Sequence, residues 1–105
     1  MVYEVASQAR PDDVKLMLEN ALKGKFKDAR ELLHKMLVRQ GLSGEDVMRE
    51  IHRQVYGLPI PEESKVRLIE AIGEYEFRIS EGADALIQLE ALLAQISALG
   101  VKTSR

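Results

Sequence analysis

Cysteine is absent from this 105-residue chain, and so is tryptophan. Without cysteine the chain cannot form disulfide bonds, thiolate zinc sites or a cysteine nucleophile, and such a composition is typical of a reducing compartment. No apolar run reaches the roughly 18 residues of a membrane-spanning helix, and the N-terminus lacks a signal-peptide pattern. We therefore expect a cytoplasmic protein with no membrane partner.

An excess of one charge is also lacking. Fifteen Lys and Arg residues stand against seventeen Asp and Glu residues, so the formal net charge is −2. This balance provides no overall attraction to nucleic acid or to an anionic membrane. With 46% hydrophobic and 30% charged residues, the composition predicts one globular domain.

Residues that could support catalysis or metal binding are few. His34 and His52 are the only histidines, and they fall in different predicted helices. The chain has no zinc-protease motif, paired EF-hand loop, serine-nucleophile motif or phosphate-binding loop. We interpret both histidines as structural and expect no catalytic residue, no metal site and no bound cofactor. The sequence therefore predicts that this chain is not an enzyme.

Helical periodicity accounts for nearly the whole chain, and only residues 2–5 have strand character. Glycine and proline divide it into five helical segments, which predicts an all-α fold, a five-helix bundle. The predicted segments are 11–24, 25–40, 43–57, 61–82 and 83–99. The predicted organisation is a lead-in segment at 1–10, where Val2, Tyr3 and Val5 pack onto the bundle, a helical domain at 11–100 and a frayed tail at 101–105.

The third segment has the strongest local start signal. Ser43 is the predicted N-cap, with Asp46 three residues on in a variant of the capping box. Leu42 and Val47 occupy the positions of a hydrophobic staple. After this helix, Leu58 and Ile60 alternate with two prolines. This pattern predicts an extended connector at residues 58–61 whose Leu and Ile fill the bundle.

The last predicted helix is apolar on two sides. Its core-facing arc contains Leu86, Leu89, Leu92, Leu93, Ile96 and Leu99. The opposite face is also apolar and is made of Ala83, Ile87, Ala91, Ala94 and Ala98. Because a helix that is apolar on two sides is usually covered on two sides, we expect a second subunit to cover this face.

The fourth predicted helix is also wider in apolar surface than one core requires. Glu76 projects into the middle of its apolar arc. Such a carboxylate is either paired with an arginine, between helices or between subunits, or reaches water at the edge of the arc. The sequence leaves both alternatives open.

A second function class comes from the basic second helix. Six Lys and Arg residues between positions 23 and 39 outnumber two acidic ones. Together with the short turn and the capped third helix they resemble a helix-turn-helix, with Lys27, Arg49 and Arg53 as the candidate DNA-binding residues. A solvated face is the preferred interpretation, because recognition helices usually belong to more basic domains.

Several motifs resemble a known family: LSGED, LPIPEE, IGEYEFRISEGA and QLEALLA, at residues 42–46, 58–63, 72–83 and 88–94. With VYEVASQARPDDV near the start, they resemble the C-terminal domain of the archaeal replication factor C small subunit over almost the whole chain. That family is the sliding-clamp loader, an AAA+ ATPase assembly whose C-terminal domains join in a collar. The resemblance implies a collar-like helical domain that holds subunits in a ring during DNA replication.

The resemblance covers only that domain. The family's Walker A lysine, Walker B acidic residues and Ser-Arg-Cys motif have no counterpart here, so ATP and magnesium are expected only in domains outside this sequence. The implied partners through the collar are further copies of the chain and the large subunit of the loader. The sliding clamp and primed DNA are implied only for the full-length assembly.

A collar domain presents a different surface to each ring neighbour. We expect these surfaces on the fourth and fifth helices because of their excess apolar area. The predicted interface residues are Glu76, Phe77, Arg78, Glu81, Ile87, Ala91, Ala94 and Ala98.

Overall fold

The structure is a computed structural model that describes residues 9–103, with side chains as far as Gly100. Within that range the chain is all-α, as predicted, and its helices are α1 (Pro11–Leu22), α2 (Phe26–His34), α3 (Gly44–Val55), α4 (Glu62–Ser80) and α5 (Ala85–Thr103). The expected packing of Val2, Tyr3 and Val5 lies outside the described residues. None of the helices in this range combines the length and the apolar character needed to cross a bilayer.

Helix α5 is the centre of the bundle, because α1, α2, α3 and α4 all pack against it. The predicted core-facing arc of α5 is confirmed: Leu89, Leu92, Leu93 and Ile96 are fully buried, and Leu86 and Leu99 pack at the margin of the core. The bundle measures 48 × 26 × 22 Å. The central helix therefore packs one face into the core.

The local start and stop signals are confirmed in most places. Pro11 is the first residue of α1, and Ser43 accepts a hydrogen bond from the Asp46 backbone N–H at 3.0 Å. The predicted stops at Gly24 and Gly41 both have positive φ, as the ends of α-helices often require. In the connector after α3 the predicted burial of Leu58 and Ile60 is confirmed. Its backbone is bent and not extended, since the Ile60 backbone N–H donates to the Leu58 carbonyl at 2.8 Å.

The second helix differs from its prediction as one α-helix through Gln40. Its last turn, Lys35–Arg39, is a π-helix, closed by the Gln40 backbone N–H donating to the Lys35 carbonyl at 2.9 Å. The wider turn keeps Met36 in the core while leaving Val38 exposed to solvent. Sequence periodicity misses this feature because one inserted residue does not interrupt an apolar pattern.

The bounds of α5 also differ from the prediction. The helix starts at Ala85 because the Asp84 side chain accepts a hydrogen bond from the Ile87 backbone N–H at 3.1 Å and acts as its cap. Ala83 therefore lies in the preceding turn and not on the outer face of the helix. At the other end the helix continues to Thr103, into the segment expected to be frayed.

Helix α5 lies very close to α1 near its C-terminus. A Cβ on Gly100 would collide with the backbone carbonyl of Leu22, so only glycine fits at this contact. Nearby, the Ser97 hydroxyl donates to the Ala21 carbonyl at 2.9 Å. These contacts hold the rotation of α5 and thereby decide which of its side chains face outward.

Candidate subunit interface

The outer face of α5 presents an apolar strip, defined here as Ile87, Ala91, Ala94 and Ala98. Ile87 is 61% exposed, Ala94 and Ala98 are also exposed, and Ala91 is half-buried. The sequence prediction that these residues share one side of the helix, opposite its core arc, agrees with this placement. Within the described residues, the strip has no covering helix.

Helices α2 and α4 flank the strip and are held in place by polar contacts. On one side, Arg30 Nε lies 2.7 Å from Glu90 Oε2, an ion pair between α2 and α5. On the other side, the Tyr75 hydroxyl of α4 donates to Gln95 Oε1 at 2.8 Å. The strip is therefore an apolar surface that lies between α2 and α4 and is accessible to a partner.

Two further exposed apolar side chains lie on α4. Phe77 is 59% exposed and Val66 is 54% exposed, three helical turns apart on the side that faces away from the core. Phe77 was among the predicted interface residues. Val66 was not among them, because the apolar pattern of α4 does not tell which side chains the core covers. Only Leu68 and Ile72 of that helix are buried.

Glu76 is exposed on the rim of a groove between α3 and α4. The floor of this groove includes Ile69 and Ile72, and Arg49 and His52 also line it. No basic side chain of residues 9–100 pairs with Glu76, so the ion pair between helices is not found within this part of the chain. Of the two alternatives, the edge position agrees with the structure, and an ion pair with another subunit stays a prediction.

The two remaining charged residues of the predicted set have different surroundings. Arg78 is engaged within its own helix, since its Nη2 lies 3.2 Å from Glu74 Oε2 and its guanidinium lies over the Tyr75 ring. Glu81 is exposed at the C-terminal cap of α4. Glu81 is therefore available to a partner without breaking an ion pair among the described residues, whereas Arg78 would have to exchange its partner.

Two of the three basic residues proposed for DNA binding are paired with acidic neighbours on α3, whereas Lys27 is exposed on α2. Arg49 pairs with Asp46 at 2.9 Å, and Arg53 forms a two-point contact with Glu50. This contact holds the pKa of the Glu50 carboxyl below its ordinary value, against a smaller opposing effect of burial. Guanidinium groups held by neighbouring carboxylates attract phosphates weakly, so the helix-turn-helix interpretation is not favoured.

The histidines do not form a site. His52 is exposed and packs edge-to-face against Tyr56, with ring centroids 5.8 Å apart, and His34 is half-buried on α2. Among residues 9–103, no group of histidine and acidic side chains has the arrangement that a metal ion requires.

Comparison with known proteins gives a consistent result. A family model described as the replication factor C C-terminal domain matches residues 9–95. The replication factor C small subunit of Thermococcus kodakarensis is 58% identical over 99 residues, which are 94% of this chain and 11% of that protein. The protein of the same name from Pyrococcus furiosus is 55% identical, over 96% of this chain and 12% of that protein.

A third relative, the replication factor C small subunit of Methanococcus vannielii, is 54% identical over 94% of this chain and 31% of its own length. The chain thus spans between about a tenth and a third of the length of these relatives. The likeness extends over both helices that carry the exposed apolar surfaces.

Proposed function

The chain belongs to the family of replication factor C C-terminal domains, and we propose that it holds neighbouring subunits of a clamp loader together. In this proposal the domain is an oligomerisation module with no activity of its own. Its partners are further copies of the chain and the large subunit of the loader. ATP and magnesium act in other domains of the full-length protein, and the sliding clamp and primed DNA are contacted only by the whole assembly in the cytoplasm.

The observation that carries the proposal is the apolar strip of α5. Helix α5 contacts the core through Leu89, Leu92 and their buried neighbours. The outer strip is not part of the core of residues 9–100. Small side chains such as Ala94 and Ala98 allow another helix to approach closely. Burying such a surface against a partner releases water from apolar area, at about 25 cal/mol per Å².

The exposed apolar residues of α4 support an arrangement with two different surfaces. Phe77 and Val66 are exposed on α4, whereas the strip lies on α5, so the exposed apolar side chains are shared between two helices. A closed ring of subunits requires two different surfaces on each member. We assign the strip to one neighbour and the exposed Phe77, with Glu76 and Glu81 beside it, to the other.

The experiment is sedimentation of the chain over a range of concentrations up to about 1 mM, where even a weak association of about 4 kcal/mol is populated. We expect self-association in the original chain and its loss in Ala94→Glu and Ile87→Lys, with helicity unchanged. Lys15→Glu is the matched control, because it introduces a carboxylate at an exposed position of α1 that borders Gln54 and Leu58 and no residue of α4 or the strip. A strictly monomeric chain, or association that ignores both strip variants, would overturn the assignment.

A further inference from the structure

The groove between α3 and α4 has a volume of about 330 Å³ and an apolar floor. Met48, Ile69 and Ile72 line this floor, and Ile69 is only partly buried. Val66 lies three positions before Ile69, on the same side of α4, and is 54% exposed. The apolar surface therefore continues from the floor of the groove to Val66.

The two ends of the groove differ in character. Glu45 of α3 and Glu76 of α4 line one end. Beyond the other end, Tyr56 is 58% exposed, and its carbonyl accepts a hydrogen bond from Lys65 Nζ at 2.7 Å, which places it beside the first turn of α4. One end is thus acidic, and the end towards Tyr56 and Val66 is apolar.

The described part of the chain begins next to this groove. Ala9 is half-buried and lines a small pocket together with Asp46 and Arg49 of α3. Arg49 also lines the groove between α3 and α4. The eight residues before Ala9, which lie outside the described residues, are therefore joined to the bundle beside the α3 wall of the groove.

Residues 1–8 have the alternation of a strand with one covered side. Tyr3 and Val5 flank Glu4, the one charged side chain among these eight residues. In an extended chain Tyr3 and Val5 share one side, and Val2 and Glu4 share the other. At about 3.3 Å per residue, Val5 can lie up to about 13 Å from Ala9 and Tyr3 up to about 20 Å. Both distances exceed the width of a helix, about 10 Å, so the segment can cross α3 and enter the groove.

We propose that residues 1–8 of this chain dock in the groove between α3 and α4 in extended form, with Tyr3 and Val5 towards its floor. The segment runs towards the apolar end at Val66, because Glu4 would be repelled by the two glutamates at the other end. Covering the floor and Val66 removes apolar area from water, which favours docking. This inference concerns contacts within one molecule and does not depend on the proposed oligomerisation role.

Thiol labelling can test the docking directly, because the chain contains no cysteine and an introduced thiol is the only one. The reporter is Val66→Cys, at the end of the groove that the segment covers. Val38→Cys is the matched control, because this valine is equally exposed, at 57%, and lies on the π-helical turn, where it does not line the groove. Each reporter is combined with changes in the segment, and circular dichroism checks that helicity is unchanged.

We expect Val5→Ser to raise the labelling rate of the Val66→Cys reporter by about tenfold, the factor for a segment that is docked about nine-tenths of the time. Tyr3→Ser should act in the same direction. Val2→Ser is the matched change on the other side of the segment and should leave the rate within about twofold. The Val38→Cys control should react at one rate with all three segments.

The measurements are made at a few micromolar and repeated at several hundred micromolar. A labelling rate of Val66→Cys that is the same in the original segment and in Val5→Ser would overturn the docking. So would an equal effect of Val2→Ser, because the extended arrangement places Val2 on the outer side. Protection that appears only at the higher concentration would show that another copy covers the groove, and the intramolecular contact would be wrong.

Discussion

Truncating one aliphatic side chain on each face of α5 should separate folding from association. Leu93 is fully buried, whereas Ile87 on the same helix is 61% exposed. Both changes, Leu93→Ala and Ile87→Ala, shorten a four-carbon side chain to a methyl group. The two variants therefore lose the same number of carbon atoms from the same helix. They differ in whether the lost atoms faced the core or the outer strip.

The expected magnitudes follow from burial. Leu93→Ala leaves a cavity where α5 meets the rest of the core, and such changes lower the free energy of unfolding by about 2–5 kcal/mol. For a domain of this size that corresponds to a fall in Tm of roughly 10–30 °C. Ile87→Ala removes mostly solvated area, and alanine favours the helix, so we expect the free energy of unfolding to change by less than about 0.5 kcal/mol.

The assay is urea unfolding followed by circular dichroism at a concentration of a few micromolar, several hundredfold below the millimolar range of a weak association. Sedimentation at high concentration then measures association, which Ile87→Ala should weaken and Leu93→Ala should spare as long as it is folded. Equal destabilisation of the dilute chain by both variants would refute the assignment of two separate faces. So would association that is lost in Leu93→Ala and retained in Ile87→Ala.

Three further predictions concern single contacts. Ser43→Ala removes the acceptor that caps α3 and should lower the free energy of unfolding by about 1 kcal/mol, measured by urea unfolding, with an unchanged value counting against the cap. Gly100→Ala should lower the free energy of unfolding by about 1–3 kcal/mol, because the added Cβ collides with α1. Gly73→Ala adds a Cβ with no atom near it and should raise Tm, since alanine favours the helix by up to about 1 kcal/mol. A Tm that falls in Gly73→Ala and rises in Gly100→Ala would contradict the close contact. Arg53 lowers the folded pKa of Glu50, so the contribution of this carboxylate to stability is present above the ordinary glutamate range and is lost as pH falls through the folded pKa. The free energy of unfolding should therefore depend less on acidic pH in Glu50→Gln than in the original chain. Coinciding pH curves for the two proteins would refute the pair.

Much of the fold could be predicted because its signals are local. The cap at Ser43, the stops at Gly24 and Gly41, and the core arc of α5 depend on residues within a few positions of each other. The placement of Ile87 on the side opposite the core also follows from the 3.6-residue period alone. These features needed no knowledge of which helices are neighbours.

Other features depend on contacts between distant parts of the chain. The apolar arc of α4 was predicted to be wider than one core requires and left the surroundings of Glu76 open, and the structure places Val66 and Glu76 in solvent. The π-helical turn at Lys35–Arg39 and the cap at Asp84 were not anticipated. Periodicity measures how apolar a face is, whereas exposure depends on which helix packs over that face.

The sequence alone determined that the chain is an all-α bundle, that its last helix has two apolar faces, and that it resembles a clamp-loader C-terminal domain. Only the tertiary structure decided that α5 is central, with α2 and α4 on different sides of it. The physical reason is that helix formation and amphipathicity arise from neighbours along the chain. Which face of α5 remains uncovered depends instead on how distant helices pack around it.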